Sequence, residues 1–435
     1  MNELSSLDRD APRDAVTGLP AIDTVRGRIE DWLTQAAARG EAAKVHTLLL
    51  GLRRFDAVNL AYGASAGDAA LAEVGGRICR FAENELDGPW LVARGSGGNF
   101  LLAANEACSR ERWQLFAEQL ADIVSQSIPA AAGALRLSPR LALLRALADD
   151  TVESLLDRLG HTLGSRRLQG GRIAWADGES VPPGRTAAQL EADLLVAIDR
   201  DEIEILFQPQ FDADDLLTGA EALARWRHPV LGRIGAAALF GVAERSDHVA
   251  PLSRHIAKRA LAAARDWPPG LRLSLNVTPA DLAAISYADT LLAIVRESGF
   301  PADRLTLEVT EQVLLSDIHA AAKTLGRISG EGIRVALDDF GAGFCNFRYL
   351  KLLPLDYLKL DRSMVDGIED DPRDLAVLRA IVAMARALSL KVIAEGIEDE
   401  AQRDLIVREG CDFYQGFLRA QPMSAEEFVD LATGG

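Results

Sequence analysis

The chain changes rhythm part-way along its length. In the first part, apolar positions at helical spacing run from Ala21 to Ala38, and an apolar run from Val45 to Leu52 predicts a buried strand. A second helical pattern covers Ala66 to Glu83, and Trp90 to Ala93 reads as a strand. Arg94 to Asn99, with its glycines, predicts a hairpin turn, and Phe100 to Ala103 its return strand. The pattern fades near Trp175, and residues 176–185 are rich in turn formers and proline. That stretch divides an α+β domain over 12–175 from a second domain over 185–435.

Beyond it, short apolar runs recur, each followed by a polar residue and then a helical pattern. Ile205 to Phe207 leads to Gln208, and the stretch from Leu217 to Glu221. Leu271 to Leu275 leads to Asn276, and Leu305 to Leu307 to Glu308. Val335 to Leu337 leads to Asp338 and Asp339, Tyr357 and Leu358 to Lys359, and Val392 to Ala394 to Glu395. Strands alternating with helices predict an α/β architecture, a TIM-like (β/α)8 barrel, whose active site gathers at the C-terminal ends of the strands. Taken singly, each acid also fits a helix N-cap or a solvated loop start, Lys359 a snorkelling surface lysine, and Arg225 a stacking partner of Trp226. Seven polar strand ends in succession do not fit that reading.

Composition narrows the chemistry. A length of 435 residues suits two or three domains, and 49% hydrophobic with 26% charged residues is an ordinary globular balance. The formal net charge of −17 argues against a polynucleotide partner held through its phosphates, and leaves room for a small anion neutralised by divalent metal. Cys79, Cys108, Cys345 and Cys411 lack CxxC spacing, which gives poor material for disulfides or structural zinc and points to a reducing cytoplasm. No apolar stretch is long enough for a membrane span, and residues 1–10 are polar and acidic, unlike a signal peptide. A longer parent with an upstream sensory segment is compatible with a chain that begins almost directly on a domain.

Glu221, Asn276, Glu308, Asp338, Asp339 and Glu395 are all oxygen donors, which suits Mg2+ or Mn2+ over zinc. Carboxylates converging on one barrel mouth repel unless metal neutralises them. Two adjacent aspartates can bridge two ions about 4 Å apart, the arrangement of in-line phosphoryl displacement. Lys359 is then placed to orient the attacking water or to stabilise developing charge, and Arg225, four residues after Glu221, to hold a phosphate oxygen.

Residues 185–435 resemble the EAL domain of bacterial cyclic-di-GMP phosphodiesterases. The motifs are Glu221-Ala222-Leu223-Ala224-Arg225-Trp226, Phe207-Gln208-Pro209, Leu275-Asn276-Val277-Thr278, Leu307-Glu308-Val309-Thr310-Glu311, Asp338-Asp339-Phe340-Gly341, Lys359-Leu360-Asp361, Ala394-Glu395-Gly396 and Gln415-Gly416-Phe417. The resemblance implies hydrolysis of cyclic-di-GMP to linear pGpG with two metal ions. It makes Glu221, Asn276, Glu308, Asp338, Asp339 and Glu395 the metal ligands, and Lys359 the catalytic lysine with Asp361 beside it. Gln208, Leu223, Arg225 and Gln415 become nucleotide contacts. Glu311 joins the catalytic set by anchoring the loop after Asp339, which couples homodimerisation to metal binding. Cys345 and Asn346 stand where that loop usually carries two serines, and Ala236 where proline is usual. A catalytically silent cyclic-di-GMP receptor is the alternative; such members lack several of these groups, and none is missing here.

Residues 12–175 resemble a GGDEF domain, the nucleotide-cyclase-like fold, through Asp14-Ala15-Val16-Thr17-Gly18-Leu19-Pro20, Phe55 to Asn59, and Ala66-Gly67-Asp68. Its signature loop reads Ser96-Gly97-Gly98-Asn99-Phe100. Gly98 and Asn99 replace the two acids, and Gly51 replaces the strand aspartate on the other side of the metal. Asp87 and Trp90 stand at the places of the inhibitory product site. The expectation is a degenerate, non-cyclising domain that regulates, dimerises, or binds GTP through Asn59 and Asp68.

Overall fold

In the computed structural model the described residues are 13–38, 44–53, 55–130, 133–147, 150–164, 171–176, 187–310, 318–341, 349–365, 368 and 372–434. They fall into two compact units: residues 1–193 with 226–242, and residues 194–225 with 243–435.

The first unit is built on a five-stranded sheet. Its strands are β1 (Val45–Leu52), β2 (Trp90–Arg94), β3 (Asn99–Asn105), β6 (Pro139–Arg145) and β7 (Ile173–Trp175), in the order β2-β3-β1-β6-β7; β4 (Ile128–Ala130) and β5 (Gly133–Leu135) form a separate hairpin. The central strand β1 is apolar on both faces because helices cover both. It pairs antiparallel with β3 and β6, and the helices Ala64–Glu85 and Arg110–Ser125 bury Val74, Ile78, Phe81, Phe116 and Leu120 with it. The expected turn is real: Arg94 and Phe100 pair across it, and the Arg94 guanidinium ties its carbonyls, reaching Gly95 O at 2.6 Å and Asn99 O at 2.7 Å. The helix Phe55–Tyr62, absent from the sequence-based expectation, precedes Gly63, whose φ of +88° lets the chain turn into the next helix.

One polar group inside this unit makes its stability depend on pH. His46 on β1 is buried against Trp113 with ring centroids 5.4 Å apart, and its Nδ1 lies 3.1 Å from the Lys44 carbonyl. Burial pushes its pKa down to about 4, with the nearby Arg145 adding to the effect. The folded state therefore holds the neutral ring, and the unfolded chain binds the extra proton between the ordinary histidine pKa and about 4. Stability is complete above that window and falls as pH drops through it, by at most about 3 kcal/mol. Denaturant titrations at pH 7 and pH 4.5, followed by tryptophan fluorescence, should show this loss in the wild type and a smaller one in His46→Phe. An equal loss in both would remove His46 as its cause.

The second unit contains a closed eight-stranded barrel. Its strands are β8 (Ile203–Asp212), β9 (Leu217–His228), β11 (Arg272–Val277), β12 (Leu305–Thr310), β13 (Arg334–Phe340), β14 (Tyr357–Leu360), β15 (Lys391–Ala394) and β16 (Phe413–Gln415); the last three residues of β9 and the short β10 (Gly232–Ile234) that hairpins back on them belong to the segment 226–242 grouped with the first unit. From β9 to β16 the pairings are parallel, whereas β8 is antiparallel to β16 and closes the ring against β9. This corrects the uniform repeat expected from sequence. Gln208 and Glu221 lie within long strands rather than at strand ends, and a turn through Asp215, at φ +62°, joins their strands in place of a helix. The turn forms because Asp212 Oδ1 accepts the backbone N–H groups of Asp214 and Leu216.

Helix starts around the barrel carry their own caps. Thr278 and Asp281 form a capping box, as do Ser424 and Glu427, and Asp399 accepts from Gln402 N at 2.9 Å. Cys79, Cys108 and Cys411 are free thiols. Among the described residues no helix is long and apolar enough to cross a membrane.

Candidate active site

Period two along a strand sends alternate residues into the barrel, which brings Glu221, Asn276, Glu308, Asp338, Lys359 and Gln415 together from six strands. Lys359 is the centre of the group. It is 0% exposed, and its Nζ lies 2.6 Å from Glu308 Oε2, 2.8 Å from Glu395 Oε1, 3.0 Å from Asp338 Oδ1 and 3.4 Å from Glu221 Oε2. The snorkelling alternative is thereby excluded.

Glu221 is the most thoroughly held of the acids. Asn276 Nδ2 donates to its Oε1 at 2.7 Å, and Gln415 Nε2 to its Oε2 at 2.8 Å. Gln415 Nε2 also reaches Gln208 Oε1 at 3.0 Å, while Gln415 Oε1 accepts from Gln210 Nε2 at 2.9 Å. Three glutamines thus form an amide chain ending on Glu221. Gln210, whose role in orienting Gln415 the sequence reading missed, follows Gln208 by one strand period, and that spacing is the signal that finds it.

Asp338 and Asp339 are sequence neighbours, and a regular strand would turn them to opposite faces. The pairing of β13 with β14 shifts register between Leu337 and Phe340, and Asp339 takes φ +56°. This bulge re-aims the second aspartate, so that carboxylate oxygens of Asp338, Asp339 and Glu395 lie within 4.8 Å of one another. A non-glycine residue in the left-handed region is strained backbone of the kind found at functional sites.

Electrostatics follow from four carboxylates around one ammonium. Burial drives Glu308 up to about 8, with Glu221 beside it adding to the effect. Burial likewise raises Asp338, and raises Glu395 well above the usual carboxylate range. Burial also acts on Glu221, but Lys359 and its amide donors outweigh it and hold that acid low. Burial opposes the charge on Lys359, yet its carboxylates outweigh burial and keep it protonated. Glu308 Oε1 has no hydrogen-bond partner among the described residues. An oxygen-only donor set with an excess of negative charge and an orphaned carboxylate oxygen fits hard divalent cations.

Residues 191–422 match the EAL domain family, and residues 11–172 match the family described as diguanylate cyclase, GGDEF domain. This chain is a tandem GGDEF–EAL protein. It is 32% identical to the bifunctional diguanylate cyclase/cyclic di-GMP phosphodiesterase MucR of Pseudomonas aeruginosa, over 96% of this chain and 61% of that protein. It is 30% identical to the cyclic di-GMP phosphodiesterase NbdA of the same species, over 98% of this chain and 55% of the relative. Among solved structures, the PaMucR phosphodiesterase in complex with c-di-GMP matches with a TM-score of 0.53 and 32% identity, covering 55% of this chain and all of that one. The chain spans 50–62% of the length of the first curated relatives it matches.

Not every residue expected at the EAL site joins it. Asp361 is buried, but its carboxylate accepts from Ser363 N at 3.0 Å and caps the short helix Arg362–Met364; it is not among the ion partners of Lys359. Arg225 is buried on β9 with Nη1 on Ala224 O at 3.0 Å, and Leu223 is half-buried. Glu311, Cys345 and Asn346 lie outside the described residues.

In the GGDEF unit, a Cβ on Gly51 would lie 2.9 Å from both Asn99 Oδ1 and Leu163 Cδ2, and one on Gly98 would lie 3.0 Å from Leu52 Cβ. The ends of the Asn99 and Leu163 side chains occupy the space beside Gly51. Asn59 and Asp68 are both exposed, and the Asn59 amide lies over Gly67, where no Cβ fits.

Proposed function

We propose that the EAL domain hydrolyses cyclic-di-GMP to linear pGpG with two divalent cations, Mg2+ or Mn2+, and that the GGDEF domain regulates without cyclising. The observation that carries the first reading is the full burial of Lys359 among Glu221, Glu308, Asp338 and Glu395, a concentration of acid that suits divalent cations. The relatives named as phosphodiesterases support the substrate.

Glu221, Asn276, Glu308, Asp338, Asp339 and Glu395 are the residues that would hold the ions. Bound there, divalent cations would supply Lewis acidity toward the phosphodiester and lower the pKa of the attacking water. Lys359 works as a fixed, charged hydrogen-bond donor rather than a base, because its carboxylates keep it protonated; its role is to orient water and stabilise charge developing on phosphoryl oxygen. The amide chain through Gln415 fixes Glu221 in one orientation, and Gln208 and Gln415 are nucleotide contacts in this reading. Leu223 and Arg225 complete the nucleotide contacts in this proposal. Glu311 anchors the loop after Asp339, Asp361 supports Lys359 through the backbone, and the domain works as a homodimer.

For the GGDEF domain, the missing acids at 51, 98 and 99 support a non-catalytic role, with GTP at Asn59 and Asp68 as a candidate effector. The test is incubation of the purified chain with cyclic-di-GMP and Mg2+ or Mn2+, with and without GTP, resolving nucleotides by chromatography. The expected product is pGpG, abolished by EDTA, with no cyclic-di-GMP made from GTP. Tight binding of cyclic-di-GMP without any pGpG would replace the enzyme by a receptor.

A further inference from the structure

The inward faces of the barrel carry a second charged layer. Four residues before Asn276, Asp338 and Glu395, period two puts Arg272, Arg334 and Lys391 on the same faces, each the first residue of its strand. Between the two layers lies a small apolar cluster of Ala336, Tyr357, Ile393 and Phe413. The barrel is thus acidic at its C-terminal mouth, apolar in the middle and cationic at its floor.

The floor is organised. Arg272 and Arg334 both donate to the Tyr357 hydroxyl, the latter at 2.7 Å. The Arg272 guanidinium lies 4.2 Å from the centroid of the Phe413 ring, and Lys391 Nζ lies 5.3 Å from the same centroid. Ring faces stabilise cations but do not cancel their charge, and two guanidinium groups sharing one hydroxyl repel each other. Among the described residues none of the three cations has a carboxylate within 4 Å, although acids outnumber bases in the chain by 64 to 47. The aspartates at this end are committed elsewhere. Asp356 accepts from Val335 N and Asp412 from Val392 N, each at 2.9 Å, and Asp212 accepts from its own turn. Arg272 Nη2 is buried and has no acceptor among the described residues, a cost that an arriving oxygen atom would remove.

From this arrangement we infer that the barrel floor is an anion site, in which Arg272, Arg334 and Lys391 hold a phosphate-type oxyanion, free or carried on a nucleotide. Planar guanidinium groups present paired N–H donors that match phosphate oxygens, and the lysine adds a point charge. The apolar cluster separates this anion from the acidic mouth, so the two ends of one barrel take ligands of opposite sign.

The test is calorimetric titration of the full chain with inorganic pyrophosphate and, separately, with GMP. EDTA is present to keep metal-held phosphate out of the mouth, and sodium chloride holds ionic strength constant. Binding of pyrophosphate by the wild type, weakened at least about tenfold in both Arg334→Gln and Lys391→Gln, supports the site. Both variants leave the Arg272–Phe413 stack in place, and their unfolding temperatures verify that they fold. Pyrophosphate binding without GMP binding would identify a free oxyanion, and binding of both a nucleotide phosphate. No binding by the wild type, or equal binding by the variants, would overturn the inference.

Discussion

Lys359→Met will lower turnover of cyclic-di-GMP by about 10²- to 10³-fold, the range seen when a single preorganised donor to a developing oxyanion is lost. The methionine fills most of the lysine's volume, so lost packing is a small part of the effect. What remains is a set of buried carboxylates with no counter-charge, and the protein should lose stability as well. Breaking a buried ion pair by removing one partner costs about 3–5 kcal/mol, less here because Glu308, Asp338 and Glu395 are already biased by burial toward taking up protons. Divalent cations should return part of that stability without returning turnover. Chromatographic rates and thermal unfolding with and without Mg2+ give both numbers; turnover within about twofold of wild type would remove Lys359 from the chemistry.

The second large effect concerns cation binding. Asp338 and Asp339 are turned to the same side by the bulge in β13, and with Glu395 they form a carboxylate group whose oxygens lie within 4.8 Å of one another. Addition of Mn2+ at about 100 times its Kd should stabilise the wild type by about 2.7 kcal/mol. In Asp338→Asn the shift should all but vanish, together with hydrolysis. The substitution keeps the shape of the side chain, so a folded but cation-blind protein is the expected product. An unfolding temperature that still rises by the wild-type amount would show that the ion sits elsewhere.

Much of this was legible in the sequence, for local reasons. Val45 to Leu52 is read to the residue because an unbroken apolar run between turn signals admits little else. The acids after the parallel strands were found because each sits at a change from apolar to polar. The strand Phe413–Gln415 escaped that test because it is three residues long and opens directly after a helix end at Gly410. The burial of Lys359 was not readable at all, since the acids that enclose it arrive from four other strands. The joint role of Asp338 and Asp339 was read from their adjacency, but the bulge that aims both to one side was not, because a register shift belongs to the pairing of two strands. The cations of the barrel floor were within reach: counting back two strand periods from Asn276, Asp338 and Glu395 finds all three.

The antiparallel direction of β8 has one more consequence. In a barrel whose strands all run the same way, the chain enters at the floor, far from the chemistry. Here Ile203 starts at the mouth, and the helix Ala187–Asp199 hands the chain to the barrel there, five residues ahead of Gln208. The chain's point of entry and the acids of the site therefore share one end of the barrel.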